Sequence, residues 1–170
     1  KLAFFVHHRD TIGRHIAKYG THEPLVTRWM EQFLSSARRG IVVDVGANLG
    51  WHTLHAARHH NVEAVVAFEP DPFTFETLST NISENHLPDV RAYHGALAEF
   101  EGEIELFRDA SSASSSLLMS TIRQRHDGPA VKVPALKLSP FITSEIDLIK
   151  IDIEGAESAV LRELADANKL

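Results

Sequence analysis

Apolar residues recur along this chain in two rhythms. Alternating or continuous apolar runs at residues 2–6, 41–45, 63–68, 90–94, 102–107, 131–136 and 146–151 predict β-strands. Spacings of three and four predict helices over residues 25–37, through Leu25, Val26, Trp29, Met30, Phe33 and Leu34, and over 73–84, with Phe75, Leu78 and Ile82 facing in. A shorter helical pattern follows Gly50, and a last one buries Ala159, Val160 and Leu164. Residues 12–19 fit a strand or a short helix, and residues 137–143 a short helix broken near Pro140. Pro24 sits where the first long helix starts, and Arg38-Arg39-Gly40 where it stops.

The centre of this pattern is Ile41-Val42-Val43-Asp44-Val45-Gly46-Ala47-Asn48-Leu49-Gly50. A β-branched run stops at a glycine turn and a helix begins, which is the junction where glycines admit close backbone approach and a helix end favours negative charge. Asp44, at the carboxyl end of the strand, adds an acid, so the junction suits a ligand carrying both signs. The spacing is not G-x-G-x-x-G, because Asn48 stands where a second close glycine belongs, and this disfavours a pyrophosphate ligand. The next strand ends at Glu69, about 20 residues past the turn, where a doubly wound sheet places an acid against ribose hydroxyls. Pro70 and Pro72 stiffen the turn that opens the following helix.

Composition narrows the partners. The chain has 170 residues, 44% of them hydrophobic, enough for one globular core. A formal charge of −6 argues against a nucleic-acid partner. No apolar run approaches the roughly 20 residues of a membrane span, so no membrane partner is expected. Without cysteine there is neither disulfide nor thiolate chemistry, which fits a reducing, cytoplasmic setting. His52, His55 and His59 share one helix at spacings of three and four, but no acid matches them there, and a solvated face is the expected role rather than a metal site. His52, next to the glycine turn, can line a pocket.

Four segments in order resemble the FkbM family of S-adenosylmethionine-dependent methyltransferases: Asp44-Val45-Gly46-Ala47-Asn48-Leu49-Gly50, Phe68-Glu69-Pro70-Asp71-Pro72, Asn81 with Asn85, and Ile149-Lys150-Ile151-Asp152-Ile153-Glu154-Gly155-Ala156-Glu157. The resemblance covers roughly residues 41–164. It implies an α/β, Rossmann-like, doubly wound and mostly parallel sheet, S-adenosylmethionine as cofactor, and methyl transfer to a hydroxyl of a sugar or small metabolite. The cofactor-binding residues it implies are Glu23, Asp44, Gly46, Asn48, Gly50, Glu69, Pro70, Ala96, Leu97 and Asp152. Gly46, Asn48 and Gly50 lie under the methionine portion, and Ala96 and Leu97 lie by the adenine. Asp152 and Glu154 close the pocket floor and are the candidate general bases. Asn81 and Asn85 match paired asparagines of the family and otherwise read as helix caps.

On this reading residues 1–40 form a leader of a strand and a helix, and residues 41–170 the methyltransferase domain. The core strands run third, second, first, fourth. That leaves the apolar fourth strand, 146–151, at an edge, which soluble proteins avoid. The expectation is that C-terminal strands are missing from this sequence, or that a second copy or a further chain segment covers the edge. Two other functions fit the same residues: a nicotinamide-dependent oxidoreductase, disfavoured by Asn48, and a non-catalytic nucleotide-binding domain of a larger protein.

Overall fold

The computed structural model describes residues 1–7, 10–108, 115–116, 130–153 and 155–170. In chain order the elements are α1 (Thr11–Tyr19), α2 (Pro24–Ser36), β1 (Gly40–Val45), α3 (Trp51–Ala57), β2 (Val62–Glu69), α4 (Pro72–Glu84), β3 (Val90–His94), β4 (Ala96–Leu97), β5 (Gly102–Arg108), β6 (Ser115–Ser116), β7 (Ala130–Leu136), a 3-10 turn (Ser139–Phe141), β8 (Ile146–Ile151) and α5 (Glu157–Asp166). The main sheet is parallel, in the order β3-β2-β1-β8. This is the strand order that the family resemblance implies. Among the described residues β8 pairs only with β1. A smaller sheet, β4-β7-β5-β6, carries the β5–β7 antiparallel pair. The serine-rich stretch at 109–114 and residues 117–128 lie outside the described residues.

Register sorts the core into two faces. Val43, Val66 and Ile149 are partners across three strands, as are Val45, Phe68 and Ile151. Because side chains alternate along a strand, these point to one face, where α5 and the smaller sheet bring Val160, Leu164, Leu106 and Val133 against them. Val42, Val65 and Leu148 point to the other face and pack against Met30 and Leu34 of α2 and Ala56 of α3. Burial on both faces explains the nearly unbroken apolar runs of β1 and β2. Asp44 and Lys150 are partners in the same register and lie on the α3 face. That position makes them chemically available to α3 and its preceding turn.

One expectation is corrected. Residues 2–6 are not a strand. They run without assigned secondary structure, and the side chains of α4 supply the partners a neighbouring strand would. Asn81 accepts from the Phe5 amide (2.6 Å) and donates to the Phe5 carbonyl (3.1 Å) and the Leu49 carbonyl (2.7 Å). Asn85 accepts from the Ala3 amide (2.9 Å) and donates to the Ala3 carbonyl (2.7 Å). Four residues of helix rise about 6 Å, close to the ~6.6 Å spanned by two extended residues, so asparagines four apart meet alternate backbone units. The paired asparagines are therefore a leader clamp, although Asn85 also donates to the Asn81 carbonyl (2.7 Å) near the helix end.

Helix α2 forms where the apolar spacing predicts it, but its stripe is only partly covered. Only Thr27, Met30 and Leu34 are buried, while Leu25 is 82% exposed and Trp29 57%, the latter stacked on Phe33. An apolar stripe broader than the surface beneath it leaves part of itself in solvent. Residues 11–19, which fit either element, form a helix because Asp10 caps it, accepting from the Ile12 (3.1 Å) and Gly13 (2.7 Å) amides, and Gly20 ends it at φ 70°.

Asn81 is fully buried with both ends of its amide engaged. Asn81→Ala is expected to lower stability by roughly 2–3 kcal/mol and Asn85→Ala, half-buried, by about 1 kcal/mol. Urea denaturation measures both, and hydrogen exchange at Phe5 should speed up more than at residues of β1.

Candidate active site

The carboxyl ends of β1, β2 and β8 converge beside the first turn of α3. The turn between β1 and α3 is held from within. Gly46 and Ala47 amides donate to the Phe68 carbonyl (3.0 and 2.9 Å), the Asn48 amide to Glu69 Oε2 (2.9 Å), the Leu49 amide to Asn48 Oδ1 (2.8 Å) and the Gly50 amide to the Ala47 carbonyl (3.0 Å). All five amides of residues 46–50 are therefore committed. Gly46 is glycine for a packing reason as well as a conformational one. At φ 78°, a Cβ there would stand 2.1 Å from the Asp152 carbonyl oxygen. Asn48 itself is left-handed, at φ 53°.

Beneath the turn, Asp44 is buried with both oxygens occupied. Oδ2 accepts from Thr53 Oγ1 at 2.6 Å, and Oδ1 stands 3.2 Å from Lys150 Nζ in an ion pair without hydrogen-bond alignment. Lys150 also reaches the Gly46 carbonyl (3.4 Å) and Asp152 Oδ2 (3.6 Å). Burial works against the Lys150 charge, but the carboxylates of Asp44 and Asp152 outweigh it and raise its pKa above the ordinary value. Lys150 is thus a permanent ammonium at neutral pH. Asp152 is exposed at the rim, and Glu154 lies outside the described residues.

Glu69 is buried at the end of β2. Oε1 accepts from the Asp71 amide (2.9 Å) and Oε2 from Asn48, so each oxygen keeps a lone pair. Burial pushes its carboxyl up to about 7, against an ordinary 4.5, and the Asp71 and Asn48 amides restrain the rise. Pro70, also buried, places its carbonyl 3.0 Å from His94 Nε2.

The leader supplies the roof. Ile16 of α1 packs with Leu49 and Trp51, and Trp51 Nε1 donates to Thr27 Oγ1 (2.9 Å), which in turn donates to the His22 carbonyl (3.2 Å). This fixes the loop 20–23. Glu23 there is left-handed (φ 43°), and its Oε2 lies 3.7 Å from His52 Nε2 and 3.9 Å from His22 Nε2. His52 is buried, and its Nε2 has no hydrogen-bond partner among the described residues. Burial pushes its pKa down to about 4, against the pull of Asp44, and burial likewise lowers His22.

With this geometry in hand, the comparisons are decisive about kinship. Residues 44–169 match the Methyltransferase FkbM domain. The chain belongs to the FkbM methyltransferase domain family. Curated relatives include Methyltransferase 1 of Beauveria bassiana, 30% identical over 74% of this chain and 58% of its own. They also include the 31-O-demethyl-FK506 methyltransferase FkbM of Streptomyces tacrolimicus, 26% identical over 75% of this chain and 60% of its own. The chain thus spans about three fifths of the length of these relatives. The crystal structure of a methyltransferase FkbM from Methylobacillus flagellatus superposes with a TM-score of 0.54 at 18% identity, covering 78% of this chain and 32% of that one. That likeness carries the Rossmann-like fold.

Within this FkbM domain, Asp44, Gly46, Asn48, Gly50, Glu69 and Asp152 gather around one turn, and Glu23 joins them from the leader. Ala96 and Leu97 do not present their side chains there. The Gly95 amide donates to the Glu69 carbonyl (3.1 Å), so β4 starts beside the end of β2, but both side chains are buried in the main core. The residues missed by sequence reasoning are Lys150, Thr53 and His22. Lys150 lies inside a quoted motif, and a lysine flanked by isoleucines in an apolar strand was the available signal. No group of three metal-ligating side chains occurs among the described residues.

Glu69 makes stability depend on pH. The folded chain retains a proton on it up to about pH 7, whereas the unfolded chain releases it near 4.5. Its contribution is therefore full below 4.5 and lost as pH rises through about 7. Glu69→Gln removes this dependence. Relative to wild type, the variant should gain on the order of 3 kcal/mol between about pH 5 and about pH 8, read from urea denaturation at both pH values.

Proposed function

We propose that this FkbM domain binds S-adenosylmethionine at the ends of β1, β2 and β8 and transfers its methyl group to a hydroxyl of a sugar or small metabolite. The observation that carries this reading is the family match over residues 44–169, laid on a cluster where carboxylates and an ammonium meet. The cluster also suits the cofactor: His52 offers a buried polar atom lacking a partner among the described residues, and Glu69 keeps a lone pair on each oxygen for a ribose diol. When bound, S-adenosylmethionine supplies an electrophilic methyl group on a sulfonium. Glu69 then orients the ribose, and charge-assisted hydrogen bonds of that kind contribute about 1.5–3 kcal/mol each. Glu23, Asp44 and Asp152 make the site anionic enough for a cationic ligand.

Lys150 favours oxygen as the nucleophile. Its ammonium meets the negative charge that develops on a hydroxyl oxygen losing its proton, an effect that grows in a site screened from water. On this reading Asp152, exposed and 3.6 Å from that ammonium, takes the proton. An amine acceptor gains nothing from a neighbouring ammonium. The oxidoreductase reading is weakened because the amides of residues 46–50, which a pyrophosphate would require, already have partners.

Calorimetry with the wild-type chain should show saturable binding of S-adenosylhomocysteine and none of NAD. Glu69→Ala should weaken the former by roughly 10–100-fold. Saturable NAD binding without S-adenosylhomocysteine binding would overturn the proposal. For the acceptor, mass spectrometry of hydroxylated metabolites incubated with the protein and S-adenosylmethionine should show the gain of one methylene.

A further inference from the structure

Charge is divided unevenly along the chain. Residues 1–40 hold seven of the 17 basic residues but three of the 23 acidic ones, a net +4, whereas the remainder carries −10. The leader's three acids are already engaged. Asp10 caps α1, Glu23 lies beside His22 and His52, and Glu31 Oε1 stands 3.4 Å from His55 Nδ1. Of the bases, Arg38 pairs with Glu145 and Asp147. Arg14, Lys18, Arg28 and Arg39 are exposed and pair with no carboxylate among the described residues.

The same two helices expose Tyr19, Leu25, Val26, Trp29 and Phe33. On α2 a spacing of four puts Leu25, Trp29 and Phe33 in one row, turned away from the buried Thr27, Met30 and Leu34 and bordered by Arg28. The Trp29 and Phe33 rings stack with centroids 5.6 Å apart, and the Lys18 ammonium lies 4.8 Å over the Tyr19 ring. Apolar side chains gathered on one exposed face mark an interaction site.

The mixture selects the partner. A nucleic acid would reward the bases and stack on Trp29, but it offers no apolar phase to Leu25 and Val26. A second copy joined through this face by a two-fold axis would set two leaders of +4 against each other. An anionic lipid surface answers both features. Its headgroups attract the bases, and its acyl boundary takes up leucine, valine and the aromatic rings that favour that depth. Contact of this kind needs no spanning run, and no described helix is long and apolar enough to cross a membrane.

We propose that the outer faces of α1 and α2 dock the chain on an anionic lipid surface, with Leu25, Trp29 and Phe33 entering the acyl boundary and Lys18 and Arg28 meeting headgroup phosphates. Tyr19 and Leu25 flank the loop 20–23 that carries Glu23 to the site, so the docking face adjoins the site's roof.

The test is flotation of the chain with vesicles of phosphatidylcholine and phosphatidylglycerol in equal parts, against vesicles of phosphatidylcholine alone. At low salt the chain should bind the mixed vesicles at least about 10-fold more tightly, and this preference should fade toward 1 M salt, where the Debye length falls to about 3 Å. Lys18→Gln with Arg28→Gln should weaken binding to mixed vesicles roughly 10–30-fold, since each base near such a surface contributes about fivefold. Leu25→Ser with Trp29→Ser should weaken it at least about 10-fold. Both double variants change exposed positions only and should keep the wild-type urea midpoint. Tryptophan emission should shift to the blue on adding mixed vesicles, and should not shift in Trp29→Phe, where Trp51 alone is left. Wild type that does not float with mixed vesicles overturns the inference, as does equal affinity for phosphatidylcholine alone or unchanged binding by either double variant. A dimer in sedimentation velocity that Leu25→Ser with Trp29→Ser abolishes, in place of vesicle binding, assigns the face to a second copy and also overturns it. Tighter binding to a single-stranded oligonucleotide than to vesicles does the same for a nucleic acid.

Discussion

The Asp44–Lys150 pair holds the site together. Both charges are buried, and they sit at matched positions of β1 and β8, on the face against which α3 packs. Taking two charges out of water is expensive, and an apolar pair at the same place would serve stability as well or better. Removing either partner alone is another matter, because it strands the other charge and typically costs 3–5 kcal/mol. Three constraints run through this one contact. It ties the last strand of the sheet to the first, Thr53 of α3 to β1, and, through the Gly46 carbonyl, the glycine turn to β8. The arrangement favours a role in positioning charge over a role in raising stability.

The glycine turn has a different task from the one its sequence suggests. Gly46 makes room for the Asp152 carbonyl, and the amides of the turn close onto β2, Glu69 and the turn itself. The turn is thus a rigid wall. Ligand-directed chemistry belongs to the side chains around it: Glu69 from β2, Lys150 and Asp152 from β8, His52 from α3 and Glu23 from the leader. Of these, Glu69 has its carboxylate tied to the wall through the Asn48 amide, so the turn and this side chain are one unit.

Much of this was legible in the chain. The four core strands show as apolar runs, their order comes only with the family resemblance, and Glu69 is found by its distance past the turn. Three features were not legible, each for a physical reason. Lys150 was hidden because its importance comes from register, a property of two strands that neither segment carries alone. The leader looked like a strand because residues 2–6 are an unbroken apolar run, yet backbone groups accept side-chain amides as readily as another strand, and Asn81 and Asn85 supply them. How much of the α2 stripe is covered was not legible for a third reason. Periodicity reports which residues share a helix face and is silent on how much surface waits beneath it, so Leu25 and Trp29 remain in solvent.

The asparagine clamp has an evolutionary corollary. The hydrogen bonds from Asn81 and Asn85 to the leader go to peptide groups of Ala3 and Phe5, so they ignore what the leader's side chains are. Between them, Phe4 stacks on Trp51 with ring centroids 4.9 Å apart. Sequence drift at positions 3 and 5 is therefore cheap, whereas inserting or deleting a single residue there would turn Phe4 away from Trp51 and break the match to the helix repeat. The leader is measured by its length rather than its letters.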